Sequence, residues 1–249
     1  MAAVEPVPGT PAATADLGGE RALVVADYHA GIEAGLRYEQ GVEIDSRAER
    51  RRDRLRGLIV ETDPDRLVVL GDLLHAIGEP GGAERGEVEV LLESLPADLP
   101  VTLVKGNHDG DAESWVEGVE VTDGAGVRIG NVGFAHGHTW PSRDVLAADV
   151  VCTGHEHPAV RLEDEVGGSR VERVWLRGRA APGPFVDRYE GLDWTDPDLV
   201  VFPAFNDLSG GTWVNVEGQG FLSPFLPEGL VDGQAYLLDG TRLGAYDRV

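Results

Sequence analysis

Five short polar motifs in this 249-residue chain contain six of its seven histidines, and each motif directly follows a short apolar run. The motifs are Asp27-Tyr28-His29, Gly71-Asp72, Gly106-Asn107-His108-Asp109, His136-Gly137-His138 and Gly154-His155-Glu156-His157. Carboxylate, amide oxygen and imidazole form a mixed set of donors that suits Mn, Fe, Zn or Ni. Seven such ligands, with one aspartate shared, are enough for two ions that each keep an open position. The five motifs together therefore predict a site for two metal ions.

The spacing inside the motifs indicates how the ligands reach one ion. Alternate residues of an extended segment project to the same side, so Asp27 and His29 are expected to face one ion, as are His155 and His157. In three motifs a glycine precedes the polar residue and permits unusual backbone angles. We expect these glycines to let a ligand or a metal come close.

The apolar runs before the motifs are predicted strands, and the polar ends of such strands are where open α/β sheets place their ligands. Strands are predicted at 22–26, 67–70 and 101–104, with helices at 46–61 and 84–95 between them. Ser46 is expected to cap the first of these helices in a capping box with Glu49. The order β-α-β-α-β indicates a parallel sheet flanked by helices.

The second half of the chain has a different pattern of predicted elements. Short strands separated by Gly and Asp turns resemble antiparallel hairpins; they are predicted at 119–121, 127–129, 132–135, 150–153, 159–162 and 171–176. Two later strands are predicted at 199–202 and 235–238. Residues 178–198 are predicted to form an irregular segment. Residues 1–19, rich in Ala, Pro, Gly and Thr, are predicted to be a flexible N-terminal arm. Residues 20–249 are then predicted to form a single domain of two packed sheets with helices outside.

The composition limits the partners. The chain has 44 acidic residues against 21 basic ones, which gives a net charge of −23. Proteins that bind nucleic acids routinely carry a basic surface, and this composition does not indicate one. Such an acidic surplus with a single lysine, Lys105, indicates a halophilic protein whose carboxylates keep it hydrated in salt. A single cysteine, Cys152, favours a reducing compartment. With no signal peptide and no long apolar segment, we expect a soluble, cytoplasmic protein without a membrane partner.

The helix at 46–61 carries five arginines: Arg50, Arg51, Arg52, Arg54 and Arg56. Two interpretations stay open for this stripe. It is either a solvated helix face that pairs with nearby acids, which is favoured, or a surface that contacts phosphates.

Taken in order, the motifs resemble the calcineurin-like metallophosphoesterase superfamily, whose pattern runs D-x-H, G-D, G-N-H-D/E, H and G-H-x-H. The segment Phe202-Pro-Ala-Phe-Asn206, followed by Gly210-Gly211 and Val214-Asn215, is similar to the ICC-like branch, which includes DNA-ligase-associated metallophosphoesterases. The resemblance implies an α/β fold, a four-layer α/β/β/α sandwich of two mixed sheets flanked by helices. The dimetal site would lie at the edge of the two sheets.

The resemblance also assigns roles to the motif residues. Two divalent ions are implied, with Mn²⁺ expected first and Fe, Zn or Ni as alternatives. The first ion would be held by Asp27, His29, Asp72 and His157, and the second by Asp72, Asn107, His136 and His155. His136 is preferred over His138 as the ligand because it directly ends a strand, which leaves His138 either to support a ligand from behind or to meet substrate oxygen. A hydroxide bridging the ions would attack phosphorus, and His108 would stabilise the transition state or protonate the leaving oxygen.

One departure from the family pattern and one further polar residue qualify this picture. Protein Ser/Thr phosphatases of the superfamily have G-D-x-x-D-R-G, in which the second Asp orients the catalytic histidine, whereas this chain has His75 at that position. A phosphatase of that type is therefore not expected, and His108 needs another orienting group, for which Asp109 is the candidate. His75 is either a substrate contact or a buried structural histidine. Asn206 either reaches the site as a substrate contact or caps a turn.

The predicted function is hydrolysis of phosphodiester bonds. The alternatives are a DNA nuclease of the repair-nuclease type and a catalytically inactive scaffold of the same fold. The partner is a phosphoester substrate, with nucleic acids and nucleotides among the candidates. The sequence determines neither the physiological substrate nor the oligomeric state.

Overall fold

The computed structural model describes residues 3–164 and 166–249, which form two β-sheets that pack face to face. The first sheet has six strands that follow one another in chain order: β1 (Val4–Pro6), β2 (Ala12–Asp16), β3 (Arg21–Ala26), β4 (Arg66–Leu70), β5 (Val101–Val104) and β6 (Val119–Thr122). Strands β3 to β6 pair in parallel, and β1 and β2 continue the sheet from β3 in antiparallel pairing. The predicted parallel β-α-β-α-β unit is therefore confirmed.

Helices α1 (Ile32–Gln40), α2 (Ala48–Thr62) and α3 (Gly82–Glu93) follow β3 and β4. Leu55 and Leu58 of α2 and Val88 of α3 pack on the outer face of the first sheet, in one apolar core with Leu23 and Leu67. The start of α2 differs from the prediction. Ser46 lies before the helix, and the residue at the N-cap is Arg47, whose backbone N–H donates to the Glu33 carboxylate at 2.9 Å. Ser46 Oγ still accepts from the backbone N–H of Ala48 at 3.3 Å, while Glu33, distant in sequence, takes the place predicted for Glu49.

The second sheet contains β7 (Val127–Ile129), β8 (Val132–Ala135), β9 (Val150–Thr153), β10 (Ala159–Glu163), β11 (Ser169–Ala180), β12 (Asp198–Val201), β13 (Leu230–Leu237) and β14 (Arg242–Ala245). Its centre is parallel, because β9 pairs in parallel with both β8 and β12. The prediction of antiparallel hairpins is therefore wrong for β8 and β9, while β7 with β8 and β10 with β11 do pair as antiparallel hairpins. Helix α4 (Arg143–Leu146) lies between β8 and β9 in the chain, and such a crossover allows neighbouring strands to run in one direction.

Three apolar cores separate four layers. Side chains between the sheets include Val24, Val68, Phe134 and Cys152, which alternate along their strands with residues that face outward. On the outer face of the second sheet, Leu146 of α4 and Phe185 of α5 (Pro182–Arg188) pack with strand residues such as Leu199. The structure thus confirms the predicted α/β/β/α sandwich. The segment 178–198 is less irregular than predicted, since it contains the end of β11 and all of α5.

The N-terminal segment is part of the first sheet, so the prediction of a flexible arm over residues 1–19 is wrong for Val4–Asp16. Val4, Ala13 and Ala15 are buried between the sheets. Small side chains fit this narrow position, and their weak strand propensity hides the strands from sequence reasoning. The boundary predicted at residue 20 falls between two paired strands, β2 and β3. That the chain forms a single domain stays a prediction.

No helix in the described part of the chain is long and apolar enough to cross a membrane.

Candidate metal centre

The five motifs converge where the carboxyl ends of the strands of both sheets meet. Asp27, Asp72 and Asn107 follow β3, β4 and β5 of the first sheet, while His136 and His155 follow β8 and β9 of the second. Parallel strands bring these positions to one edge, as expected for an open α/β sheet. All seven predicted metal ligands lie in this region.

Five of the seven candidate ligands are placed by left-handed backbone turns rather than by extended segments. Asp27, His29, Asp72, His155 and His157 have φ angles of 57°, 49°, 47°, 69° and 44°. The expectation that strand alternation orients these pairs is therefore wrong. Each such residue costs about 1–3 kcal/mol of backbone strain, and such strain clusters at functional sites. Contacts between motifs hold these turns, as when the backbone N–H of His155 donates to Asp27 Oδ2 at 3.1 Å.

The first group of ligand atoms comes from Asp27, His29 and His157. Nε2 of His157 lies 3.2 Å from Asp27 Oδ1 and 3.3 Å from His29 Nε2. The candidate ligand atoms of all three residues lie within 4.8 Å of one another, a spacing that could hold one metal ion. Asp27 is fully buried and His29 nearly so.

The second group comes from Asp72, His136 and His155, which meet the same 4.8 Å criterion. Nε2 of His136 lies 3.4 Å from Asp72 Oδ1 and 3.3 Å from Asn107 Oδ1. The other carboxylate oxygen of Asp72 lies 3.9 Å from His29 Nε2 in the first group. Asp72 therefore stands between the two groups with one oxygen toward each.

Hydrogen bonds behind the rings determine which nitrogen faces the site. Nδ1 of His29 is 3.1 Å from the Leu74 carbonyl, and Nδ1 of His136 is 2.7 Å from that of Leu70. Nδ1 of His157 is likewise 2.7 Å from the Gly210 carbonyl. A carbonyl only accepts, so each ring donates its Nδ1–H and turns its Nε2 inward.

This arrangement fits bound cations. With their Nδ1 protons committed to carbonyls, His29 and His157 face each other through Nε2, and the Asp27 carboxylate outweighs burial and raises the pKa of His157, so the space between the rings favours positive charge. A divalent ion bound there would take both Nε2 lone pairs, and the neighbouring carboxylates would balance its charge. Imidazole and carboxylate are the donors that transition metals prefer.

The same carboxylates set the electrostatics of the centre. Burial lowers the pKa of His29 to about 4 and also lowers that of His155 to about 4. At His136 burial opposes the charged form, but Asp72 and Asp27 outweigh it and raise the pKa to about 9. The centre thus concentrates negative charge in a buried place, which favours cations.

The motif glycines make room for ligand side chains. A Cβ on Gly106 would lie 2.1 Å from Asp72 Oδ1, and one on Gly71 would lie 2.4 Å from His136 Nδ1. A Cβ on Gly154 would lie 2.9 Å from Asp27 Oδ2. The expectation that these glycines allow a close approach is met. In the described structure, the groups that come close to them are the side chains of candidate ligands.

His108 borders the centre and is oriented by a backbone group. Its Nδ1 donates to the carbonyl of His75 in a short hydrogen bond, and its Nε2 lies 3.8 Å from Asp72 Oδ2. The expectation that Asp109 orients His108 is wrong. The buried Asp109 carboxylate instead accepts from the backbone N–H groups of Gly106 at 2.7 Å and Leu74 at 3.2 Å. It thereby ties the β5 turn to the β4 turn.

Comparison with known proteins agrees with this geometry. The family model described as calcineurin-like phosphoesterase matches residues 20–144, about half of the chain. The protein belongs to this family. It is therefore a hydrolase acting on phosphoric esters, with residues that could hold divalent metals. No curated protein sequence matches it.

Comparison with solved structures concerns the fold of this phosphoesterase. The Pseudomonas putida nuclease MPE is 22% identical, with a TM-score of 0.57 over 96% of this chain and 100% of the nuclease chain. YfcE, a phosphoesterase from E. coli, is 20% identical, with a TM-score of 0.37 over 57% of this chain and 73% of its own. At these identities the first likeness shows a common fold.

Two further histidines lie beside the candidate ligands of the phosphoesterase. The ring of His138 is 5.2 Å from that of His136 and 6.1 Å from that of His155, measured between centroids. The ring of His75 meets that of His29 edge-on at 5.4 Å and stacks on His108 at 6.0 Å. His29, His75 and His108 form a third group whose nitrogens lie within 4.8 Å. Both His75 and His138 are half-buried at the rim of the centre.

Asn206 does not face the centre as a substrate contact. Its side chain is fully buried, and Nδ2 donates to the carbonyls of Tyr28 at 2.9 Å and His29 at 3.2 Å. Its Oδ1 accepts from the backbone N–H of Leu208 at 2.9 Å. Asn206 therefore positions the backbone of the first motif, which agrees with the turn-capping alternative.

Glu156, between the two histidines of the last motif, was not singled out by sequence reasoning. Its fully buried carboxylate accepts from the Thr212 hydroxyl at 3.0 Å and from the backbone N–H groups of Leu222 at 2.9 Å and Ser223 at 2.5 Å. It fastens the segment after β12 to the last motif. Among 44 acidic residues, only its place inside the motif could have marked it.

Proposed function

We propose that this phosphoesterase hydrolyses phosphodiester bonds at a centre of two divalent metal ions. The proposed ligands are Asp27, His29, Asp72, Asn107, His136, His155 and His157. The observation that carries the proposal is the position of Asp72, with one oxygen 3.4 Å from His136 Nε2 and the other 3.9 Å from His29 Nε2. A carboxylate shared between two imidazole groups is what an adjacent pair of ions needs.

When bound, the ions, Mn²⁺ in our proposal, would supply positive charge to the phosphoryl oxygens and lower the pKa of a water molecule. His108 handles the proton on the leaving side. Because Nδ1 is committed to the His75 carbonyl, Nε2 is the atom that holds a proton toward the leaving oxygen. Such proton transfer contributes about 10²–10⁴-fold to the rate. His75 and His138, at the rim, are proposed to contact substrate oxygens.

The open side of the centre supports a diester substrate. Asn107 is exposed, although its Oδ1 lies 3.3 Å from His136 Nε2. A phosphate can therefore enter from solvent while it remains linked to groups on both sides.

The test uses the purified protein with Mn²⁺ and two model substrates, bis-p-nitrophenyl phosphate and p-nitrophenyl phosphate. We expect turnover of the diester, loss of that turnover in Asp72→Asn, and a fall in kcat of about 10²–10⁴-fold in His108→Ala. Folding of both variants is checked by circular dichroism. Equal diester turnover by Asp72→Asn and the unsubstituted protein would overturn the proposal.

A nuclease is the second candidate, favoured by the common fold with the Pseudomonas putida nuclease MPE. Degradation of single-stranded DNA in the same assay, lost in Asp72→Asn, would assign this activity. An inactive scaffold is disfavoured, because scaffolds typically lose ligands and this chain brings six carboxylate and imidazole ligands into two compact groups.

We also propose that the protein works in the cytoplasm at high salt. The support is the net charge of −23 and the single cysteine. Salt screens repulsion among surface carboxylates, so the unfolding temperature should rise between low and molar KCl. A fall over that range would contradict the salt adaptation.

A further inference from the structure

One cavity outside the metal centre is lined mainly by arginines, although the chain has a net charge of −23. It has a volume of about 300 Å³, and we call it the arginine pocket. Its lining consists of Arg47, Arg50, Arg51, Arg54, Arg173, Phe205 and Asp207. Five guanidinium groups around one carboxylate mark an unusual concentration of positive charge on an acidic protein.

One of these arginines is neutralised by the protein itself. Arg51 is buried, and its guanidinium lies 3.1 Å from the Glu33 carboxylate and 2.6 Å from that of Glu87. The carboxylate in the lining, Asp207, lies 3.5 Å from Arg47 in an exposed pair, which contributes little binding energy. The positive charge that remains comes chiefly from Arg50, Arg54 and Arg173.

Arg54 and Arg173 are held in place beside each other. The Arg54 guanidinium lies 5.2 Å from the centroid of the Phe205 ring, and Arg173 Nη1 donates to the Ala204 carbonyl at 2.8 Å. Burial lowers the pKa of both side chains, and repulsion from Arg173 lowers that of Arg54 further, although the nearby Asp207 carboxylate offsets part of the shift at both. An anion between them relieves this repulsion, and guanidinium groups bind phosphate oxygens in a bidentate manner.

The pocket is tied to the metal centre by a short segment. Asp207 lines the pocket, and Gly210, three residues later, accepts the hydrogen bond from His157 Nδ1 at 2.7 Å. Three residues span at most about 11 Å. Even at the duplex rise of about 3.4 Å per phosphate, a strand of a few nucleotides is long enough to span from Asp207 to Gly210.

We propose that the arginine pocket binds a phosphate of the substrate strand while another phosphate of the same strand occupies the metal centre. This inference rests on the proposed phosphodiesterase function and narrows its substrate to a polymer of phosphodiesters, a single nucleic-acid strand. Inorganic phosphate or a mononucleotide has the same charged group, and the experiment separates these sources.

The test compares two double variants of helix α2 that remove the same charge. Arg50→Gln with Arg54→Gln removes two pocket arginines, whereas Arg52→Gln with Arg56→Gln removes two arginines outside the pocket lining. With Mn²⁺ we measure kcat/KM on a fluorescent 20-nucleotide DNA strand and on bis-p-nitrophenyl phosphate. The ratio of the two values should fall about tenfold or more in the pocket variant and stay within about twofold in the control. An unchanged ratio in the pocket variant would overturn the proposal.

A binding measurement keeps the pocket testable apart from catalysis. In full-length Asp72→Asn protein, fluorescence anisotropy of the same strand should show weaker binding and a shallower salt dependence for the pocket variant alone. If the protein cleaves no diester, the proposed function fails and this binding result still decides about the pocket. If calorimetry shows loss of inorganic phosphate or AMP binding while strand affinity is unchanged, the pocket serves a free phosphate compound and the strand proposal is overturned.

Discussion

Gly106→Ala offers the sharpest test of how the metal centre is packed. Gly106 precedes the ligand Asn107, and a Cβ added there would lie 2.1 Å from Asp72 Oδ1 and 2.4 Å from the Asp72 backbone nitrogen. Ordinary contacts of a Cβ begin near 3.4 Å. The added methyl group therefore has to push the Asp72 carboxylate, the backbone at residue 72, or both, away by about 1 Å.

The consequences follow from what Asp72 does. Its Oδ1 accepts from the backbone N–H of His108 at 3.0 Å and lies 3.4 Å from His136 Nε2. A displacement of about 1 Å in a positioned group costs about 10²-fold in rate. Overpacking at a buried site also costs about 1–3 kcal/mol of unfolding free energy. We expect kcat/KM on bis-p-nitrophenyl phosphate to fall by about 100-fold, with weaker Mn²⁺ binding.

Gly57→Ala is the matched control, because a Cβ on Gly57 in α2 meets no atom within 4 Å. It should keep full activity and gain about 0.5–1 kcal/mol of stability from its higher helix propensity. Both variants are compared by steady-state kinetics, calorimetric titration with Mn²⁺ and urea unfolding. If Gly106→Ala binds Mn²⁺ and turns over substrate like the control, the steric reasoning about the centre is refuted.

Three further predictions test other parts of the structure. Glu156→Ala should lower the free energy of unfolding, measured by urea titration, by about 3–6 kcal/mol. The reason is that two backbone N–H groups and the Thr212 hydroxyl lose their acceptor. A loss below about 1 kcal/mol would contradict this role of the buried carboxylate. Mn²⁺ at 100 times its dissociation constant should stabilise the protein by about 2.7 kcal/mol in thermal denaturation, and EDTA or Asp72→Asn should remove that gain. Cys152 is buried between the sheets, and burial raises the pKa of its thiol, so a thiol reagent should react only as fast as the protein unfolds. Rapid labelling of the native protein would contradict that burial.

Elements with strong local signals were predictable from the sequence. The bounds of β5, β8 and β9 match the predicted apolar runs at 101–104, 132–135 and 150–153, because continuous burial requires continuous apolar residues. Strands β1 and β2 were missed, since alanine and threonine in a polar context resemble a loop. The direction of β9 relative to β8 was also missed, because strand direction depends on pairing partners distant in sequence.

The residues of the site were predictable as a set, but their individual roles depended on long-range contacts. The group that orients His108 is the backbone carbonyl of His75. Because every residue has such a carbonyl, the amino-acid sequence does not indicate this contact. The sequence around Asn206 fits a substrate contact and a turn cap equally well. The fold decides between them, because the Asn206 amide donates to the carbonyls of Tyr28 and His29. The sequence could not show that the arginine stripe of α2 lines a pocket, because Arg173, which completes that pocket, comes from the distant strand β11.

The sequence by itself determined which donors are available for chemistry: carboxylates and imidazoles after apolar strands, which define a metal-dependent phosphoesterase. The tertiary structure decided which donors meet, which nitrogen of each histidine faces the centre, and that Asp72 stands between the two groups. Donor chemistry belongs to each residue type and can be read locally. The distance between residues such as Asp27 and His157 arises only when the two sheets pack and bring the ends of their strands together.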